Sequence, residues 1–176
     1  MAASGGDNAL NLPHSENSSG GYSQLQRRLH WIVAALVVVQ LLVGLWIGTT
    51  PRQPQNLAFI RNLLILHLAT GTVIFGLMFK RWSLRRKLGA PPPSPGTPFD
   101  AAMLARLNHY GFYLLLLVMP VIGWLAYLSD RPGAHMWGSL HGALALTLLV
   151  AICAHLAGVI YHTAIRHDGV LRRMTG

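Results

Sequence analysis

The 176-residue chain is short of charge. Only 11% of its residues are Asp, Glu, Lys or Arg, against roughly 25% in soluble domains. Five are acidic: Asp7, Glu16, Asp100, Asp130 and Asp168. None lies within a long apolar run, so the intramembrane carboxylate that proton-coupled transport commonly uses is missing. A single cysteine, Cys153, excludes an intramolecular disulfide and every paired-cysteine motif. Its position in an apolar run reads as a small buried residue. Also lacking is the basic stretch followed by a short apolar stretch that marks a secretory signal. Residues 1–21 are instead rich in Gly, Ser and Asn and read as a disordered tail. His14 lies in that tail and takes no role.

Apolar residues are abundant, at 52% of the chain. Crossing the hydrocarbon core takes about 20 mostly apolar residues. Four stretches qualify: Leu29 to Gly48, Phe59 to Phe79, Leu107 to Leu128 and Trp137 to Ile160. The short alternating segments of a membrane barrel are absent. The expected fold is all-α, an integral membrane four-helix bundle whose short connections make neighbouring helices antiparallel. It occupies residues 22–167 and is followed by a basic tail at 168–176.

The formal charge of +9 suggests nucleic acid at first sight. The basic residues, however, sit between the apolar runs, where they report topology. Eleven of the fourteen Lys and Arg fall on the side of the N-terminus, the loop between spans two and three, and the C-terminus. Only Arg52, Arg61 and Arg131 fall on the other. The excess of cations on the cytoplasmic side places both termini there. No nucleic-acid partner is expected; the partner is the bilayer. The proline-rich run from Ala90 to Gly96 reads as a stiff cytoplasmic connector. Pro120 predicts a kink in span three, which neighbouring helices tolerate.

The chain has nine histidines, several at membrane depth, where an ionisable side chain is costly and a functional role is the default. His141 and His155 are fourteen residues apart. At 3.6 residues per turn both project to nearly one face, separated by roughly 21 Å along the axis. That is too far to share a metal ion but suits two stacked cofactors. Matching depths pairs His67 with His141 in an outer layer and His30 with His155 in an inner one. Facing helices of a bundle commonly build cofactor sites in this way. His109 stands at the depth of His30 and rivals it as partner to His155. His162 and His167, at the exit of span four, have the ordinary reading of exposed histidines, and His135 lies in the outer loop.

Two neutral imidazoles in a dry apolar slot suit the iron of haem b, held without covalent attachment. Zinc fits less well, since no cysteine-rich cluster or His-x-x-x-His with a glutamate occurs. Haem carboxylates would meet interfacial cations: Arg27, Arg28, Lys80 or Arg106 inside, and Arg61 outside. Snorkelling is the plain reading of each. Gly44, Gly71, Gly76 and Gly142 would let a flat macrocycle approach the backbone, or serve as ordinary small residues at helix contacts.

These features resemble the prokaryotic cytochrome b561 family of small four-helix di-haem cytochromes. The resemblance rests on Arg28-Leu29-His30-Trp31, on Leu66-His67-Leu68-Ala69-Thr70-Gly71, and on His109-Tyr110-Gly111 with Met119-Pro120-Val121-Ile122-Gly123-Trp124. It continues through His141, His155, His162, Asp168 and Leu171-Arg172-Arg173-Met174. It implies axial ligation by His30, His67, His141 and His155, with His109 a neighbour of the inner haem. Location in the bacterial inner membrane and one-electron exchange with a quinone such as ubiquinone follow from it as expectations. Some members oxidise superoxide at the periplasmic face, where Arg61, Arg131 and His135 would attract an anion. Others are haem-bearing anchors of a dehydrogenase or hydrogenase, with a redox partner protein. A haem-free transporter or scaffold is the contrasting reading from another class. The chain departs from the family pattern in its longer polar tail and in a short outer loop, Ser129 to Met136, which leaves fewer residues to shape an outer substrate site.

Overall fold

The computed structural model describes residues 21–92 and 96–175. The rest of the polar tail, with His14, and positions 93–95 of the proline-rich connector lie outside the described residues. Four long helices follow one another: α1 (Gln24–Thr49), α2 (Leu57–Leu88), α3 (Phe99–Leu128) and α4 (Arg131–Ile160). A 3-10 turn at Pro54–Asn56 leads into α2, a π-helical turn at Tyr161–Ile165 prolongs α4, and a short α5 (Arg172–Thr175) follows. No strand occurs among the described residues. All four long helices have the length and apolarity to cross a bilayer, so the expected all-α membrane bundle is what forms.

The helix ends explain why the elements outrun the apolar stretches. Ser23 opens α1 with a reciprocal capping box: its hydroxyl accepts from the Gln26 amide, and the Gln26 side chain accepts from the Ser23 amide. Such a cap contributes about 1 kcal/mol. The helix α2 runs on through Lys80–Lys87, which the apolar pattern assigned to a loop. Lys and Arg are good helix formers, and cations in the last turn complement the helix dipole. Gly89, at φ 74°, then stops it in a conformation that glycine adopts freely. The loop expected over Ser129 to Met136 is mostly helix as well. Asp130 caps α4 by accepting from the Gly133 amide at 3.1 Å, and Pro132 sits in the first turn, where its missing N–H costs nothing.

In lipid, no hydrophobic force drives helix against helix, so close packing and interhelical hydrogen bonds hold the bundle. The helices pack in sequence, α1 on α2, α2 on α3 and α3 on α4. Val33, Val37, Ile74, Met78, Leu116, Met119 and Leu148 form the buried core. Val38, Leu42, Ile65, Leu146 and Val150 are each more than half exposed, and that outer surface matches hydrocarbon. Cys153 lies on it too. The expectation of a buried thiol is corrected, because a bilayer accepts a small apolar side chain as readily as a core does. Trp124 donates to the Thr72 hydroxyl at 3.0 Å, tying α3 to α2. A bond of this kind contributes about 0.6 kcal/mol.

At one end, both ends of the described chain meet the α2–α3 connector. Arg166 donates to the Gly96 carbonyl and Arg173 to the Pro92 carbonyl, each at 2.7 Å, while Trp31 donates to the Met174 carbonyl at 3.1 Å. His162 pairs with Asp168 at 2.5 Å. Desolvation opposes ionisation of Asp168, but the hydrogen bond and charge of His162, the Val170 amide and Arg166 outweigh it and hold the carboxyl below its ordinary range. A depressed carboxyl stabilises the fold above its unfolded value, about 3.9, and that contribution is lost as pH falls through the lower folded value. Amide exchange over residues 166–175 should therefore be slow at neutral pH and accelerate under strong acid. D168N should show the fast exchange already at neutral pH.

Candidate functional site

The histidines that the sequence placed in layers meet as side chains. His67 on α2 and His141 on α4 have ring centres 6.0 Å apart at 73°. His30 on α1 and His155 on α4 have ring centres 6.4 Å apart at 58°. Two metal–nitrogen bonds of about 2 Å each, in line, put the ring centres of a bis-imidazole pair about 6 Å apart once the ring radii are added. Both pairs fit that separation. His109 also reaches the inner pair, its ring edge-on to His155 at 5.5 Å and 86°, and Phe112 closes on the same imidazole at 5.6 Å. Among the described residues, no three His, Cys, Asp or Glu side chains converge on a single ion.

The backbone positions these rings. At Gly123 an added Cβ would stand 3.2 Å from His141 Cε1 and 3.4 Å from Nδ1, so a side chain there would push the ring off α3 by a few tenths of an ångström. Gly44 stands in the same way to His67, with Cε1 3.2 Å from the position of a Cβ. Gly71 approaches the Gln40 amide, whereas a Cβ at Gly76 or Gly142 would meet nothing within 4 Å. His141 Nδ1 lies 3.1 Å from the Met119 carbonyl. A protonated Nδ1 donates there and leaves Nε2 with a free lone pair, the tautomer a metal needs. His67 Nδ1 is buried with no protein partner, a situation that costs about 1–3 kcal/mol for a polar group. Gln40 spans α1 and α2: its amide donates to the His67 carbonyl at 2.8 Å, and its oxygen accepts from Thr70 at 2.6 Å.

The cations divide differently from the expectation. Arg28, Arg61 and Arg106 are exposed. Arg81, counted in the sequence only toward topology, is partly buried, and its Nε and Nη1 are buried without partners. Gln40 also escaped notice. Its signal was available, as a lone amide within the apolar run of span one. Gly123 stood in a quoted motif, but its contact depends on how α3 faces α4, which no local pattern encodes.

Paired imidazoles from facing helices of an apolar bundle define the class, a membrane protein built to hold haem. A profile of the prokaryotic cytochrome b561 family matches residues 21–176, and the chain belongs to that family. It is accordingly a bacterial multi-pass membrane b-type cytochrome of electron transfer. It is similar to a probable superoxide oxidase of Yersinia pestis, 27% identical over 87% of this chain and 95% of that one. It also resembles a cytochrome b562 of Cereibacter sphaeroides, 28% identical over 88% and 94% of the two chains. A cytochrome b561 homolog 2 of Escherichia coli is 26% identical over 91% and 94%.

The two glycine contacts carry a prediction. G123A and G44A should each displace an imidazole of the His67–His141 pair by a few tenths of an ångström. The haem-to-protein ratio after purification should drop in both variants, and a G76A control should match the parent protein.

Proposed function

We propose that the chain holds two haems b, one between His67 and His141 and one between His30 and His155, and carries electrons across the bilayer to or from quinone. The observation that carries this reading is the pair of imidazole pairs sharing α4. His30 is favoured over His109 at the inner site by distance, since 5.5 Å edge-on is short for two metal bonds in line while 6.4 Å is not. Bound haem b supplies a one-electron couple at each layer. The chain's own residues fix the rings, exclude water with the Val33, Ile74, Met119 and Leu148 core between the layers, and set their environment. Burial and hydrogen bonding of the ligands are the levers on potential that remain once ligation is fixed.

The excess of cations at the end shared by the two termini makes that end cytoplasmic. His67 and His141 then lie toward the periplasm, where Arg61, Arg131 and His135 offer positive or protonatable groups to an anion. Ubiquinone is the proposed acceptor and superoxide the proposed outer donor, following the name of the Yersinia pestis relative.

A reduced-minus-oxidised absorption spectrum of the purified protein should show b-type bands with two haems per chain. H141A and H155A should each lose one haem, whereas H109A should keep both. Loss of a haem in H109A together with full retention in H30A would transfer the inner ligand role to His109. Quinone reduction under a superoxide-generating system tests the outer donor separately: no reduction removes superoxide and leaves the carrier.

A further inference from the structure

The histidine pairs leave one partly buried charge unexplained. Arg81 lies near the C-terminal end of α2, in a small cavity bordered by Tyr22, Gln26, Arg85, His109, Tyr113 and Met174. Tyr113 borders the same cavity as its guanidinium, and Nε and Nη1 are both buried and unpartnered. Among the described residues, the carboxylate in ion pairs is Asp168, with His162 and Arg166, and none reaches Arg81. Withdrawing guanidinium nitrogens from water without a counter-charge is costly, and Arg85 on the same cavity raises that cost. Lys80, Arg86 and Lys87 are exposed, so topology alone does not account for half-burying this one.

The unpaired atoms have a definite chemical preference. Nε and Nη1 lie on different edges of the planar guanidinium, and each offers a charge-assisted N–H to an anionic oxygen such as a carboxylate's. The guanidinium sits beside the inner histidines, since His109 borders the same cavity and its ring packs on His155 at 5.5 Å. Haem b carries two propionate carboxylates at one edge of its ring.

We infer that Arg81, supported by Tyr113, anchors a propionate of the haem held by His30 and His155. The assignment rests on the haem reading above. It gives the inner haem an anchor distinct from the exposed Arg28 and Arg106. A cation at that edge stabilises the reduced, less positive haem and resists its escape.

The test is a potentiometric titration of the purified full chain, with haem quantified before and after prolonged detergent washing. If the parent protein shows no b-type bands, the haem reading itself fails before any variant is made. With two haems present, R81Q should lower the midpoint potential of one haem and speed its loss on washing, leaving the other unchanged. Y113F should produce a smaller change in the same haem. Two retained haems with both potentials unchanged in R81Q would overturn the inference, as would a change confined to the haem that H141A removes. If R81Q does not accumulate, R81K keeps the charge without the planar set of guanidinium donors. It should release the inner haem faster than the parent, and parental retention would overturn the inference.

Discussion

Everything in this bundle answers to the cost of a ring nitrogen in hydrocarbon. An imidazole offers one donor and one acceptor, and lipid satisfies neither. His141 meets the requirement on one side through the Met119 carbonyl. His67 keeps its buried Nδ1 without a protein partner. Facing each imidazole with a second one points their chemistry into the space between helices, where metal ligation uses the lone pairs that lipid would leave unmatched. The small residues, the amide of Gln40 and the depth of each histidine are consequences of that arrangement.

The fourth helix organises it. Leu148 lies seven residues from His141 and seven from His155, and it is the buried residue of α4. One face of the helix therefore reads histidine, core, histidine. Between the two histidine layers stand aliphatic side chains and Met119. Outside this face, α4 is covered in exposed aliphatics, and the same helix serves as lipid boundary and as scaffold.

Much of this was legible in the sequence. Span number, class and histidine layers followed from run length and the 3.6-residue period, which lipid enforces more strictly than water does. The helix ends were harder to read, because apolar content marks the membrane and not the helix. Lys80 to Lys87 and Arg131 to Met136 are polar yet helical, governed by the dipole and by the Asp130 cap. Least legible were contacts set by rotation of one helix against another. Arg81 belongs to a run of cations in which all members look alike, and only the packing of α2 against α3 singles out one as buried. Gly123 likewise acquires its importance from the ring of His141, eighteen residues on and carried by another helix, and His30 and His109 both deliver their rings to the same imidazole.

The closing of the C-terminal segment over the inner mouth has an implication for biogenesis. Arg166, Arg173 and Met174 make their contacts with partners from the start of α1 and from the α2–α3 connector, and Asp168 braces Arg166 from within the segment. Those partners emerge earlier in synthesis than the clasp does. Until residues 166–174 follow them, the cavity bordered by Arg81 and His109 lacks its Met174 wall. Docking of this segment is thus also the moment at which that cavity closes, so the order of translation sets the order of assembly.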